Sequence, residues 1–209
     1  MITVHSHATL LGSRDCQEDN YRLGGRFAAL ADGMGGHADG DKAAKKAIEA
    51  AVHSSGDLSI AMKAAAQAVS DLAPYAESIR DMPGTTLVIA HWGREEDKVT
   101  ICSVGDSKVY IHRGEETRMV AGFRDSNPDG SLAACLGAGF SPDKVYGHLD
   151  IVDMVPGDKL ILTTDGCDKY FDFFIDLEGG VDAARVVNES ERLSGPKADN
   201  ATCVILECS

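Results

Sequence analysis

Apolar and polar residues alternate over residues 2–10, with Ile2, Val4, Ala8 and Leu10 set against His5, His7 and Thr9. A period of two predicts a strand with one buried face. Residues 26–31 are almost wholly apolar and read as a buried strand. The period then changes to that of a helix over residues 39–53, where Ala43, Ala44, Ala47, Ile48, Ala51 and Val52 form one stripe. A second helical pattern covers residues 57–80 through Ala61, Ala65, Ala68, Val69 and Leu72, with Pro74 expected to bend or interrupt it.

Beyond Pro83-Gly84, apolar runs predict hairpin-forming strands near 85–91, 97–104 and 107–112. Residues 121–140 are rich in Gly, Asp, Asn and Ser and read as loop. Strands follow near 144–153 and 158–164, joined by the turn Pro156-Gly157-Asp158. Helices are predicted over 168–176 and 180–193, and a last strand over 200–207. No linker, repeat or low-complexity tract divides the chain. The pattern predicts an α+β fold, two packed antiparallel β-sheets flanked by helices on both sides, as one domain over residues 1–209.

Composition narrows the function. Hydrophobic residues make up 44% and charged residues 25% of the chain, ordinary for a globular protein. A net charge of −13 with no basic stripe excludes general binding to nucleic acid or anionic membrane. The six cysteines form no C-x-x-C pair, so a structural zinc site is not expected. The first residues lack the features of a signal peptide, and no apolar run approaches the ~18 residues of a membrane span. These features predict a soluble cytoplasmic protein.

Four aspartates sit where predicted strands end or begin. Asp32 follows Phe27–Ala31 and opens the turn Gly33-Met34-Gly35-Gly36; Asp106 follows Ile101–Gly105; Asp165 follows Leu160–Thr164; Asp199 precedes Ala201–Leu206. Strands lying in one core would bring these carboxylates to one rim, where they repel unless cations neutralise them. Hard divalent metals, which favour oxygen ligands, are the economical partners. His37, five residues after Asp32, is a candidate proton donor to a leaving alkoxide, against the plainer reading of an exposed histidine at a helix entrance.

The ordered set Arg14…Glu18-Asp19, Asp32-Gly33-Met34-Gly35-Gly36, Gly84-Thr85-Thr86, Gly105-Asp106-Ser107, Thr164-Asp165-Gly166 and Asp199-Asn200-x-Thr202 resembles the metal-dependent type 2C serine/threonine protein phosphatases. The resemblance runs from residue 12 to 206. It implies a β-sandwich flanked by helices (αββα) with two divalent cations, Mn2+ or Mg2+, that hydrolyses phosphoserine and phosphothreonine. Carried over by position, Asp32 resembles the carboxylate bridging both metals and the carbonyl of Gly33 an adjacent ligand. Glu18 resembles a ligand of one metal, Asp165 and Asp199 ligands of the other, and Asp19 an acid acting through water. Asp106 is a candidate for a weaker third ion. Arg14 resembles the phosphate-binding arginine, whose planar fork suits two phosphoryl oxygens.

The chemistry such a pair supplies is general. Two cations ~3.5–4 Å apart acidify a shared water and stabilise charge on the attacking and leaving oxygens. Cys16 and Arg22 have the Cys-x5-Arg spacing, but the acids Glu18 and Asp19 between them would repel a phosphate, so a cysteine phosphatase is disfavoured. Met34 stands where the animal members have a histidine, and Met-Gly-Gly is the bacterial form, so the resemblance implies bacterial signalling. Lys169 replaces the Asp that many members carry four residues after Asp165, which speaks against a third metal site. Asp125-Ser126-Asn127 and Leu136-Gly137 resemble two landmarks that here lie close together, implying a short flap and an open cleft.

Phosphorylated proteins are the implied partners, with the enzyme a monomer opposing a serine/threonine kinase. Two other readings compete. One is a metal-binding, catalytically weak regulator on the same fold. The other is a nucleotide-binding module, against which stand the absence of G-x-G-x-x-G and G-x-x-x-x-G-K-[ST] patterns and the charge of Asp32.

Overall fold

The computed structural model describes residues 1–54, 57–94, 97–128, 131–173 and 180–209. In chain order the first elements are β1 (Ile2–Leu10), β2 (Asn20–Leu23), β3 (Phe27–Ala31), α1 (Gly40–His53), α2 (Leu58–Ser70), β4 (Gly84–Thr85) and β5 (Leu87–Trp92). Then come β6 (Lys98–Val104), β7 (Lys108–Arg113), β8 (Glu116–Ala121), β9 (Leu136–Gly137), β10 (His148–Asp153) and β11 (Lys159–Thr163). Helices α3 (Asp168–Phe173) and α4 (Ala183–Ser194) precede β12 (Ala201–Cys208).

Two five-stranded sheets, ordered β1-β12-β11-β7-β8 and β10-β6-β5-β3-β2, form the centre, and β4 pairs with β9 beside them. Every pairing between these strands is antiparallel. Between the sheets lies a core that includes Leu30, Val88, Ile101, Ile111, Leu160 and Leu206. Helices α1 and α2 cover the outer face of the second sheet through Ala47, Ile48, Met62 and Val69, which meet Leu87 and Ile89. Helices α3 and α4 cover the first through Tyr170, Val186 and Val187, which meet Ile161 and Ile205. Alternate residues of one strand thus enter different cores, as Val204 and Leu206 face inward while Cys203 and Ile205 face α4. This double burial explains why the central strands read as unbroken apolar runs.

The αββα sandwich matches the expected fold class, and the differences are local. Helix α2 stops at Ser70, and the chain takes a turn to a short 3-10 helix at Ile79–Asp81. The helical pattern read to residue 80 therefore ends before Pro74, consistent with the disfavoured helical conformation of a residue preceding proline. Residues 142–144 form a 3-10 turn, so β10 begins at His148 and not at residue 144. Residues 174–176 of the expected helix 168–176 lie outside the described residues. Strands β2 and β8, not foreseen, are polar edge strands with little apolar pattern to betray them.

Strand β1 does not keep a single buried face. A bulge between Val4 and Ser6 shifts its register against β12. Ile2 and Val4 consequently join the core between the sheets, whereas Ala8 and Leu10 join the α4 side. One extra residue reverses the side on which every later side chain falls. No helix among the described residues is long and apolar enough to cross a membrane.

Candidate functional site

Strand register brings the acidic positions to one end of the sandwich. Leu30 of β3 faces Val88, and Val104 of β6 faces Leu87, so the ends of β3 and β6 flank the start of β5. In the other sheet Thr163, which ends β11, faces both Cys203 and Lys108, near the starts of β12 and β7. The turn carrying Asp106 crosses from β6 to β7 at this same end. Glu18, Asp32, Asp106, Asp165 and Asp199 accordingly line one cavity of about 240 Å³, together with Arg14, Gly33 and Thr86.

Threonines fix Asp32. Its backbone N–H donates to Thr86 Oγ1 at 3.0 Å, and its carbonyl accepts from Thr85 Oγ1 at 2.8 Å and from the Thr86 N–H at 2.9 Å. Thr86 Oγ1 is in turn 2.7 Å from Ser107 Oγ, tying this corner to the Asp106 turn. The Gly84-Thr85-Thr86 motif thus positions an acid. Burial holds the Asp32 carboxyl well above the usual carboxylate range, reinforced by Asp19, Asp165, Asp106 and Asp199. Burial and the neighbouring acids likewise push Asp165 up to about 6, against a hydrogen bond with Asp32. Asp106 is also raised, chiefly by burial.

Asp19 stands behind the cavity. It is 7% exposed, and its Oδ2 accepts from Thr164 Oγ1 at 2.9 Å and from Thr202 Oγ1 at 2.7 Å. Burial nevertheless drives its pKa up to about 7, with Asp165 and Asp199 adding to the shift. Its other oxygen, Oδ1, is buried without a hydrogen-bond partner among the described residues.

Residues 11–18 form the wall that carries Arg14 and Glu18. Asn200, 4% exposed, holds it: Nδ2 donates to the carbonyls of Leu11 at 2.8 Å and Cys16 at 3.1 Å, and Oδ1 accepts from the Glu18 N–H at 2.8 Å. Two glycines make room for the charged groups. A Cβ on Gly40 would come within 2.6 Å of Glu18 Oε1, and one on Gly35 within 3.1 Å of Arg14 Nη1. Burial raises the Glu18 carboxyl, opposed by Arg14. Arg14 donates to Asp199, which raises the guanidinium's pKa further.

Of the positions singled out in sequence, Arg14, Glu18, Asp32, Gly33, Asp106, Asp165 and Asp199 meet in the cavity. Asp19 supports it from behind. His37 does not line it; the ring Nδ1 is 3.1 Å from the Met82 carbonyl, in the adjoining turn. Asn200 was legible as part of a motif, but its part as the clamp on residues 11–18 was not. All six cysteines are free, with only Cys16 exposed.

Among the described residues no three ligating side chains close around one point in this arrangement. Asp199 is turned to Arg14, and Asp32 and Asp165 share a hydrogen bond. The donor set itself suits hard divalent cations, since it is all oxygen and strongly anionic. The raised carboxyls and the orphaned Asp19 oxygen mark a place short of positive charge.

A model of the family described as Protein phosphatase 2C matches residues 13–197. Serine/threonine protein phosphatase PstP of Mycobacterium tuberculosis is 26% identical over 221 aligned residues, covering 91% of this chain and 42% of that protein. The chain therefore spans less than half the length of that relative. The crystal structure of the catalytic domain of PstP in complex with two manganese ions superposes with a TM-score of 0.79 at 24% identity, covering 99% of each chain. PppA of Pseudomonas aeruginosa, described as a key regulatory component of T6SS, superposes with a TM-score of 0.81 at 20% identity, covering 99% of this chain and 97% of that one.

Proposed function

Since the chain belongs to the protein phosphatase 2C family, we propose that it hydrolyses phosphoserine and phosphothreonine in proteins with the help of two divalent cations, Mn2+ or Mg2+. The observation that carries this reading is the meeting, in one cavity, of the Arg14 guanidinium with Glu18, Asp32, Asp165 and Asp199. Arginine suits the phosphoryl oxygens and the carboxylates suit the cations. Asp32, with the Gly33 carbonyl beside it, would hold the ions together with Glu18 on one and Asp165 and Asp199 on the other. Asp106 is the further acid at the rim. When bound, the cations activate water and stabilise charge on the attacking and leaving oxygens.

The chain's own groups do the rest. Arg14 offers its fork to two phosphoryl oxygens, in competition with Asp199, to which it now donates. Asp19 is aimed by the Thr164 and Thr202 hydroxyls and accepts a proton or an ordered water at its free oxygen. His37 is the candidate proton donor to the leaving oxygen, and with Nδ1 held at the Met82 carbonyl the nitrogen left for that role is Nε2. We further infer a cytoplasmic monomer that opposes a serine/threonine kinase in bacterial signalling.

Manganese-dependent phosphate release from a phosphothreonine peptide tests the reading. Activity lost in EDTA and in Asp32→Asn is the expected result. Manganese bound without turnover in the unmodified protein would instead favour a regulator on the same fold.

A further inference from the structure

One cation at the acidic end has no part in the chemistry above. Lys108 opens β7 directly opposite Thr163, the last residue of β11. From that position its Nζ reaches past the end of β11 to Asp168 Oδ2, at the start of α3. The pair is sheltered, the side chains keeping 21% and 30% of their exposure. Asp106 lies two residues before Lys108, in the turn that joins β6 to β7. A tethered positive charge therefore stands between the turn bearing Asp106 and the turn bearing Asp165 and Asp168. Arg14, a cation that lines the cavity, is engaged with Asp199.

We propose that Lys108 is a built-in counter-ion that takes, between Asp106 and Asp168, the place a further divalent cation would fill, and so limits the centre to two metal ions. The inference rests on the metal-dependent reading above. A lysine suits this role because its compact ammonium is a point charge with three donors, able to satisfy carboxylates from two turns at once. Being covalently attached, it is present at every metal concentration. A divalent ion entering the same place would meet like-charge repulsion at close range, and its approach would disrupt the Lys108–Asp168 pair. Lys108 is thus a positioning residue: it sets how many ions the acids gather and touches no substrate.

The test counts Mn2+ bound per chain, by equilibrium dialysis with elemental analysis, in the unmodified protein, Lys108→Met and Lys108→Met/Asp168→Asn. Methionine keeps the aliphatic stem and removes the charge. Two ions in the unmodified protein, three in Lys108→Met and two again in the double variant are expected. Three ions in the unmodified protein, or two in Lys108→Met, would overturn the inference while leaving the phosphatase reading intact. No bound Mn2+ in the unmodified protein would remove the metal-dependent reading itself, and this inference with it. Thermal melting in EDTA checks that each variant folds, and Lys108→Gln carries the same comparison should Lys108→Met not fold.

Discussion

The floor and the wall of the cavity are built on different principles. The floor, Asp32 and Asp165 with Asp19 behind, hangs from strand ends and is held by threonine hydroxyls, and its acids are buried. The wall, Arg14 and Glu18 with Asp199, belongs to segments outside the strands, and Arg14 and Asp199 keep 47% and 38% of their side-chain exposure. The floor is thus fixed by the register of the sheets. The wall depends on one asparagine and on glycines that leave space for the charges. A floor acid is difficult to replace, whereas a wall residue retains freedom to exchange partners.

Substitutions can break this contrast. Asp32→Asn should lower phosphatase activity by about a thousandfold, ~4 kcal/mol of transition-state stabilisation, and Asp199→Asn by about tenfold. Steady-state kinetics at saturating Mn2+ would show it, and equal losses would abolish the distinction between floor and wall. Asn200→Ala should weaken Mn2+ binding by roughly 10–100-fold, as loss of a group that orients ligands does. It also leaves part-buried backbone groups without these partners, at a cost of about 1 kcal/mol in stability. Calorimetry and thermal melting would read both effects, and unchanged metal affinity would mean the wall needs no clamp.

Proton linkage sharpens the contrast without mutation. Asp19, Asp165 and Asp32 have folded-state pKa values raised above the ordinary carboxylate value, two of them to about 7 and about 6. Their contribution to stability is complete below the unfolded value near 3.8 and is lost as pH rises through the folded values. Metal-free protein should therefore lose melting temperature between about pH 4 and pH 7, and saturating Mn2+ should offset that loss. A flat EDTA profile would contradict the raised values. The smallest effect is expected for His37→Ala, about threefold or less in kcat, because the ring is turned to Met82. A hundredfold loss would show that the ring reaches the leaving group.

The sequence disclosed the floor more fully than the wall, for physical reasons. Asp32, Asp106 and Asp165 follow apolar runs that are long because both sheet faces are buried, so strand and acid announce each other. Edge strands β2 and β8 lack such a run. The β1 bulge reverses buried faces without disturbing the alternation of residue types. Lys108 and Asp168 lie 60 residues apart, and only the pairing of β7 with β11 brings them within reach. His37 reads as a candidate by its distance from Asp32 in the chain, a measure blind to the carbonyl that holds it.

Strand β12 follows the other described strands yet lies between β1 and β11, in the interior of its sheet. It brings Thr202 to Asp19, and the residues just before it bring Asp199 to Arg14 and Asn200 to residues 11–18. A nascent chain lacking this strand has a first sheet missing an interior member and an acidic centre missing one wall. Pairings so distant in sequence form slowly, since loop closure precedes any gain from contact. The ability to gather metal should thus arise as a late folding event, keeping partly synthesised chains silent.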